Sequence, residues 1–241
     1  MLIFPAIDLF GGKAVRLYKG DYSQMTVYSD DPSSVAIDFV KAGAAQMHLV
    51  DLEGARDGGT PNLCEIMKIR GKTGAFIEVG GGIRTMDVID RYLDAGIDRV
   101  ILGTAAVENE ALLKKAADKY GEKIAVGVDV RGGYVAVKGW TESTALKAAD
   151  FCVKLAGIGI KTVICTDISR DGAMSGPNSG LYRELSRVSG VDLIASGGVS
   201  SIEDVKRLRD GGLYGAIIGK AYYTGAIELS EAVRVAGEVR V

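Results

Sequence analysis

The chain has 241 residues, 47% of them hydrophobic and 25% charged, with a net charge of −2. This is ordinary globular composition with length for a substantial core, and it lacks the basic excess of a nucleic-acid binder or a polybasic membrane face. No apolar run reaches the roughly eighteen residues of a membrane-spanning helix, so no membrane partner is expected.

In chain order, the first strand is expected over Leu2–Asp8. MLIFPAIDLF is apolar, but it lacks a basic leader and Asp8 interrupts it, so it reads as a strand and not as a signal peptide. The helical pattern PSSVAIDFVKAGA leads to a second strand at Met47–Asp51. NLCEIMKIRGKTG leads in the same way to Ala75–Val79, and MDVIDRYLDAG to Arg99–Gly103. Further strands are expected at Ile124–Asp129, Thr162–Asp167, Asp192–Ser196 and Gly215–Gly219, the last preceded by SIEDVKRLRDGG. Several helical stretches open on Ser, Thr or Asn suited to capping and close at Gly. Apolar strands alternating with helices imply a parallel sheet buried on both faces. Eight such units of about 30 residues suit a closed (β/α)8 TIM barrel. No linker or charge block divides the chain, which reads as one domain over residues 1–241.

The chain also repeats itself. VDLEGARDGGTPN (50–62) aligns with TDISRDGAMSGPN (166–178), Asp51 falling on Asp167 and Pro61-Asn62 on Pro177-Asn178. The same offset lays VGGGI (79–83) on ASGGV (195–199) and AGIDRVILGTA (95–105) on GGLYGAIIGKA (211–221). A slightly larger offset lays IDLFGG (7–12) on VDVRGG (128–133). Four segments matching in order indicate two half-barrels, about 1–120 and 121–241.

Barrels of this kind carry their chemistry at the carboxyl ends of the strands. Two classes of group collect there. Gly81-Gly82 with Gly103-Thr104, and Ser196-Gly197-Gly198 with Gly219-Lys220, end strands three, four, seven and eight, and Gly176 lies in the loop after strand six. Glycines at such turns bare backbone N–H groups at a helix N-terminus, which favours a phosphate dianion, although a single glycine turn needs no ligand to explain it. Two matched sets on opposite sides of one mouth favour phosphate, and imply a substrate with a phosphate at each end.

The second class is acidic. Asp8 and Asp129 end strands one and five and face each other across the barrel, where two carboxylates can share general base and general acid work. Asp171, in the loop after strand six, is a third participant within reach. Asp51 and Asp167 stand equally well as loop caps or as site residues. Trp140 follows strand five in GGYVAVKGW, where its indole either stacks on a flat heterocycle or packs its own hairpin. Arg16 and Arg84 are candidate phosphate or carboxamide contacts, or solvated charges. Three cysteines, Cys64, Cys152 and Cys165, lack metal-like spacing and fit a reducing cytoplasm. The single histidine, His48, cannot build a His-based metal site and reads as a hydrogen-bonded core or lower-mouth residue. No metal is expected.

PAIDLFGGKAVRL, HLVDLEGA, GGGIR, GVDVRGGYVAVKGW, TDISRDGAMSGPN and ASGGVSS, in this order, resemble the phosphoribosylformimino-5-aminoimidazole carboxamide ribotide isomerases of histidine biosynthesis over essentially the whole chain. The resemblance implies an Amadori rearrangement of an aminoaldose to an aminoketose on a small bisphosphate substrate, without a cofactor. It places the proton acceptor on Asp8, the proton donor on Asp129, the strand-six threonine on Thr166 and the loop aspartate on Asp171. Either Asp129 or Asp171 supplies the ring-opening proton. The expected protein is a cytoplasmic monomer. The alternatives are a dual-specificity isomerase that also takes phosphoribosylanthranilate, the cyclase subunit of imidazole glycerol phosphate synthase, and a silent phosphometabolite-binding barrel. The segments FPAIDLFGG and VAVKGW favour the isomerase over the cyclase.

Overall fold

A computed structural model describes residues 1–237. Eight parallel strands close into a barrel: Leu2–Phe10, Gln46–Asp51, Phe76–Gly80, Arg99–Leu102, Ile124–Arg131, Thr162–Asp167, Asp192–Ser196 and Gly215–Ile218, numbered here as barrel strands 1 to 8. Each pairs with its neighbour in sequence, strand 8 returns to strand 1, and strands 5 and 6 complete the ring. This is a (β/α)8 TIM barrel. Phe4, Ala6, Ile101, Ala125, Ile164, Ile194 and Ile217 fill its interior, while the larger core lies between the strands and the surrounding helices.

The helices begin where the sequence supplies caps. Asp31 accepts from the Ser33 amide ahead of Pro32–Lys41, with Pro at the first helical position, and Thr85 accepts from Val88 ahead of Met86–Asp94. Ser201 and Asp204 form a reciprocal capping box at Ile202–Asp210. Each cap satisfies amides that the first turn leaves without partners.

Several boundaries differ from expectation, and the differences shape the mouth. Strands 1 and 5 run two residues past Asp8 and Asp129, because each is extended by an antiparallel hairpin. Lys13–Tyr18 pairs with strand 1 so that Asp8 lies opposite Val15, and Tyr134–Val137 pairs with strand 5 so that Asp129 lies opposite Ala136. The two registers are equivalent. Outer hairpin strands Asp21–Ser29 and Glu142–Lys147 complete these flaps. Strands 4 and 8 stop one residue short of Gly103 and Gly219, which instead cap the short helices Thr104–Glu108 and Lys220–Tyr223. A further short helix, Leu52–Asp57, occupies what the sequence suggests is loop.

Gly82 and Gly198 owe their identity to close packing between successive loops. Each has a left-handed backbone, with φ of 71° and 88°. A Cβ on Gly82 would meet the Gly54 carbonyl oxygen at 1.9 Å, and one on Gly198 would meet the Gly176 carbonyl oxygen at 2.4 Å. The third loop is thus clamped on the second, and the seventh on the sixth. Gly82→Ala combines an unfavourable φ with a backbone clash and is expected to lower the unfolding free energy by about 2–4 kcal/mol, read from urea denaturation.

Candidate active site

The mouth is ringed by inward residues at the upper ends of the strands. Asp8 and Thr166 are buried, and strand pairing sets Thr166 level with Asp129 on one side and Ser196 on the other. Arg16, on the first hairpin, reaches back over strand 1. Its Nη1 lies 2.9 Å from the Asp8 carboxylate and its Nη2 lies 4.0 Å from that of Asp171. Its Nε is buried without a partner. Lys220 donates to the Gly172 carbonyl at 3.1 Å and sits over the Tyr18 ring, which ties the eighth strand to the sixth loop and the first hairpin.

The three carboxyls all hold their protons more tightly than free aspartate. Burial is the largest cause for each. At Asp8 the Arg16 guanidinium opposes it, and Asp171 reinforces it. At Asp129 the opposing groups are the Trp140 and Thr166 side chains, which hydrogen-bond its charged form. Arg16 and Lys220 oppose it at Asp171. Asp8 is therefore the carboxyl with a cation in direct contact, and Asp129 relies on neutral donors. That asymmetry is what splits a carboxylate pair into base and acid.

Trp140 stands at the mouth, half-buried, with its indole both on Asp129 and on the first hairpin. A Cβ on Gly20 would meet the indole ring at 2.6 Å, so only glycine lets the hairpin tip approach so closely. Arg131 holds the Trp140 carbonyl at 2.9 Å.

The glycine turns form two matched stations. Gly103 and Gly219 have nearly the same backbone, φ −95°, ψ −110° and φ −107°, ψ −103°. A cleft at the second station is lined by Arg16, Asp171, Ser196, Gly198, Gly219 and Lys220. At the first station Gly81 and Gly82 press on the second loop, and the Thr104 hydroxyl accepts from the Lys138 amide at 2.9 Å.

Three of the candidate residues are engaged in loop contacts. Asp51 is fully buried; its oxygens take the Gly54 amide at 2.8 Å, the Asn62 amide at 3.0 Å and the Asn62 side chain at 2.8 Å. It ties down the second loop and has no surface for a ligand. Asp167 and Asn178 repeat that tie in the other half at 2.6 Å. Gly176 donates its amide to the Gly198 carbonyl at 3.0 Å, so it serves the loop clamp. Arg84 is exposed and donates to the Ala55 carbonyl. Sequence reasoning passed over Glu78 and Arg99, a buried ion pair inside the barrel to which His48 is bound. The signal available was a charged residue at an inward position of an otherwise apolar strand, in FIEVG and RVIL.

Fold and mouth together define a (β/α)8 barrel with carboxylates gathered at its mouth. Among the described residues no group of three or more His, Cys, Asp or Glu could hold a metal ion. The family model described as "Histidine biosynthesis protein" matches residues 2–228. A protein of Lactococcus lactis subsp. cremoris strain SK11 is 51% identical over 96% of this chain and 95% of its own length. Proteins of Heliobacterium modesticaldum and Oceanobacillus iheyensis are both 47% identical, over 100% and 96% of this chain and 99% and 96% of their own lengths. All three are named 1-(5-phosphoribosyl)-5-((5-phosphoribosylamino)methylideneamino)imidazole-4-carboxamide isomerase. The chain belongs to the histidine biosynthesis protein family.

The raised pKa of Asp129 has a consequence for stability. Its folded pKa lies above the unfolded value near 3.8, so the folded state binds the proton more tightly. Its contribution to stability is therefore fully present below that value and is lost as pH rises through the folded pKa. Asp129→Asn carries no such cost. Its melting temperature is expected to exceed that of the wild type at pH 7, with the difference shrinking as the pH falls toward 4; a pH-independent difference would contradict this.

Proposed function

We propose that the chain catalyses the Amadori rearrangement of the phosphoribosylformimino-5-aminoimidazole carboxamide ribotide aminoaldose to its aminoketose. The observation that carries this reading is the equivalent placement of Asp8 and Asp129 between two matched glycine turns. The names borne by the relatives favour the same reaction over that of the cyclase subunit.

The substrate spans the mouth with one phosphate near Gly82, Gly103 and Thr104 and the other in the cleft of Gly197, Gly198, Gly219 and Lys220. Amides at the short-helix starts attract each dianion, and Lys220 adds charge at the second. Anchoring both ends centres the reacting ribose between Asp8 and Asp129. A protonated carboxyl, Asp129 or Asp171, donates to the furanose ring oxygen and the ring opens to a Schiff base. Asp8, ionised beside Arg16, removes the C2 proton to give the enolamine. Reprotonation at C1 with loss of the C2 hydroxyl proton yields the ketose. Thr166 hydrogen-bonds Asp129 and orients it. Trp140 moves from Asp129 onto the aminoimidazole ring and excludes water. In this reading the enzyme works as a cytoplasmic monomer; no helix among the described residues is long and apolar enough to cross a membrane.

Purified protein is expected to turn over the histidine-pathway aminoaldose; the same assay with phosphoribosylanthranilate separates a dual enzyme, and inactivity on both would overturn the reading. Asp8→Asn keeps the hydrogen bond to Arg16 but cannot accept the proton, so kcat should fall by on the order of 10²-fold or more with binding largely kept. Trp140 is the only tryptophan. Its fluorescence should change on binding a bisphosphate analogue and much less with inorganic phosphate, and an unchanged spectrum would leave Trp140 as packing alone.

A further inference from the structure

The interior of a (β/α)8 barrel is ordinarily layered with branched apolar side chains. Here one layer is charged. Strand pairing sets Ala6, His48, Glu78 and Arg99 level with one another on strands 1 to 4. Glu78 is fully buried and Arg99 nearly so. One Glu78 oxygen takes both Nε and Nη2 of Arg99, and the other lies 2.7 Å from His48 Nδ1. Arg99 Nη1 donates to the Thr162 hydroxyl at 3.0 Å, and its guanidinium lies against the Phe4 and Phe76 rings. Such a pair is costly to desolvate and is weak evidence for stability, so its presence calls for another reason.

His48 supplies one. It lies one inward layer beneath Asp8 and is the most exposed side chain of this network, at 12% against 6% for Arg99 and none for Glu78. With Nδ1 engaged by Glu78, Nε2 occupies the opposite edge of the ring. We propose that Glu78, anchored by Arg99, is a positioning residue for the acid–base pair, fixing the tautomer and orientation of the His48 imidazole beneath Asp8 and Asp129. The assignment rests on the isomerase reading above.

His48 is close enough to both Asp8 and Asp129 to interact with each electrostatically.

Two paired variants test this without stranding a buried charge. Glu78→Leu with Arg99→Met removes the acceptor for His48 Nδ1, and Glu78→Gln with Arg99→Met keeps an amide oxygen in its place. Because His48 is the only histidine, imidazole ¹⁵N shifts report its tautomer without ambiguity. The Leu pair should show a mixed tautomer, and kcat should fall roughly tenfold with little change in KM, the low end of the loss when the partner orienting a metal-bound histidine is removed. The Gln pair should keep the Nδ1–H tautomer and restore most of kcat. His48→Gln, which leaves Glu78 and Arg99 intact, should lower kcat by a similar factor with little change in KM even where the paired variants fold poorly. Wild-type nitrogen shifts and kcat in a folded Leu pair would overturn the proposal, as would wild-type kcat in His48→Gln. Should the wild type not turn over the aminoaldose, the functional reading fails while the nitrogen shifts still test the Glu78–His48 contact.

Discussion

Closure of the sheet between strands 5 and 6 is the constraint on which the site depends. Pairing Asp129 with Thr166 across that seam, and Phe4 with Ile217 where strand 8 meets strand 1, fixes which side chains converge on the axis. A slip of one residue in either seam would send every inward group outward, because side chains alternate along a strand. Asp8, Asp129, Thr166 and Ser196 share the mouth only because all eight registers agree.

Around that ring, buried charge is managed in three ways. Asp8 has a cation 2.9 Å away on its own hairpin, and the contact holds the hairpin against the mouth as well as opposing the carboxyl's desolvation. Asp51 and Asp167 are satisfied by the amides, hydroxyl and asparagine side chains of their own loops. Glu78 is held by Arg99 and His48. A buried carboxylate with full hydrogen bonding braces a loop or a barrel layer. One with incomplete compensation, as at Asp129 and Asp171, keeps a raised pKa suited to proton transfer.

The loops are coupled for the same reason. The first hairpin carries Arg16 to Asp8 and Asp171, Tyr18 to Lys220, and Gly20 to Trp140. Movement of one loop at the mouth therefore alters contacts of the others, so ligand entry and the electrostatics of the carboxyls are linked.

Much of this was legible in the chain itself. Apolar strands at regular spacing with capped helices between them specify a (β/α)8 barrel, because strand and helix periods are written locally, and the internal repeat pairs Asp8 with Asp129 without any coordinates. Local pattern also located the glycine turns. It could not tell how closely neighbouring loops approach, and Gly82 and Gly198 each face a carbonyl of the preceding loop that leaves no room for a Cβ. For Asp51 it left loop cap and site residue open, and what sets it apart from Asp8 is that the following loop folds back onto its carboxylate. Arg16, Trp140, Glu78 and Arg99 took their places only through contacts between residues distant in sequence. Hydrophobic periodicity determined the framework, and the packing of loops and the meeting of buried charges, which are long-range and set by desolvation, decided the site.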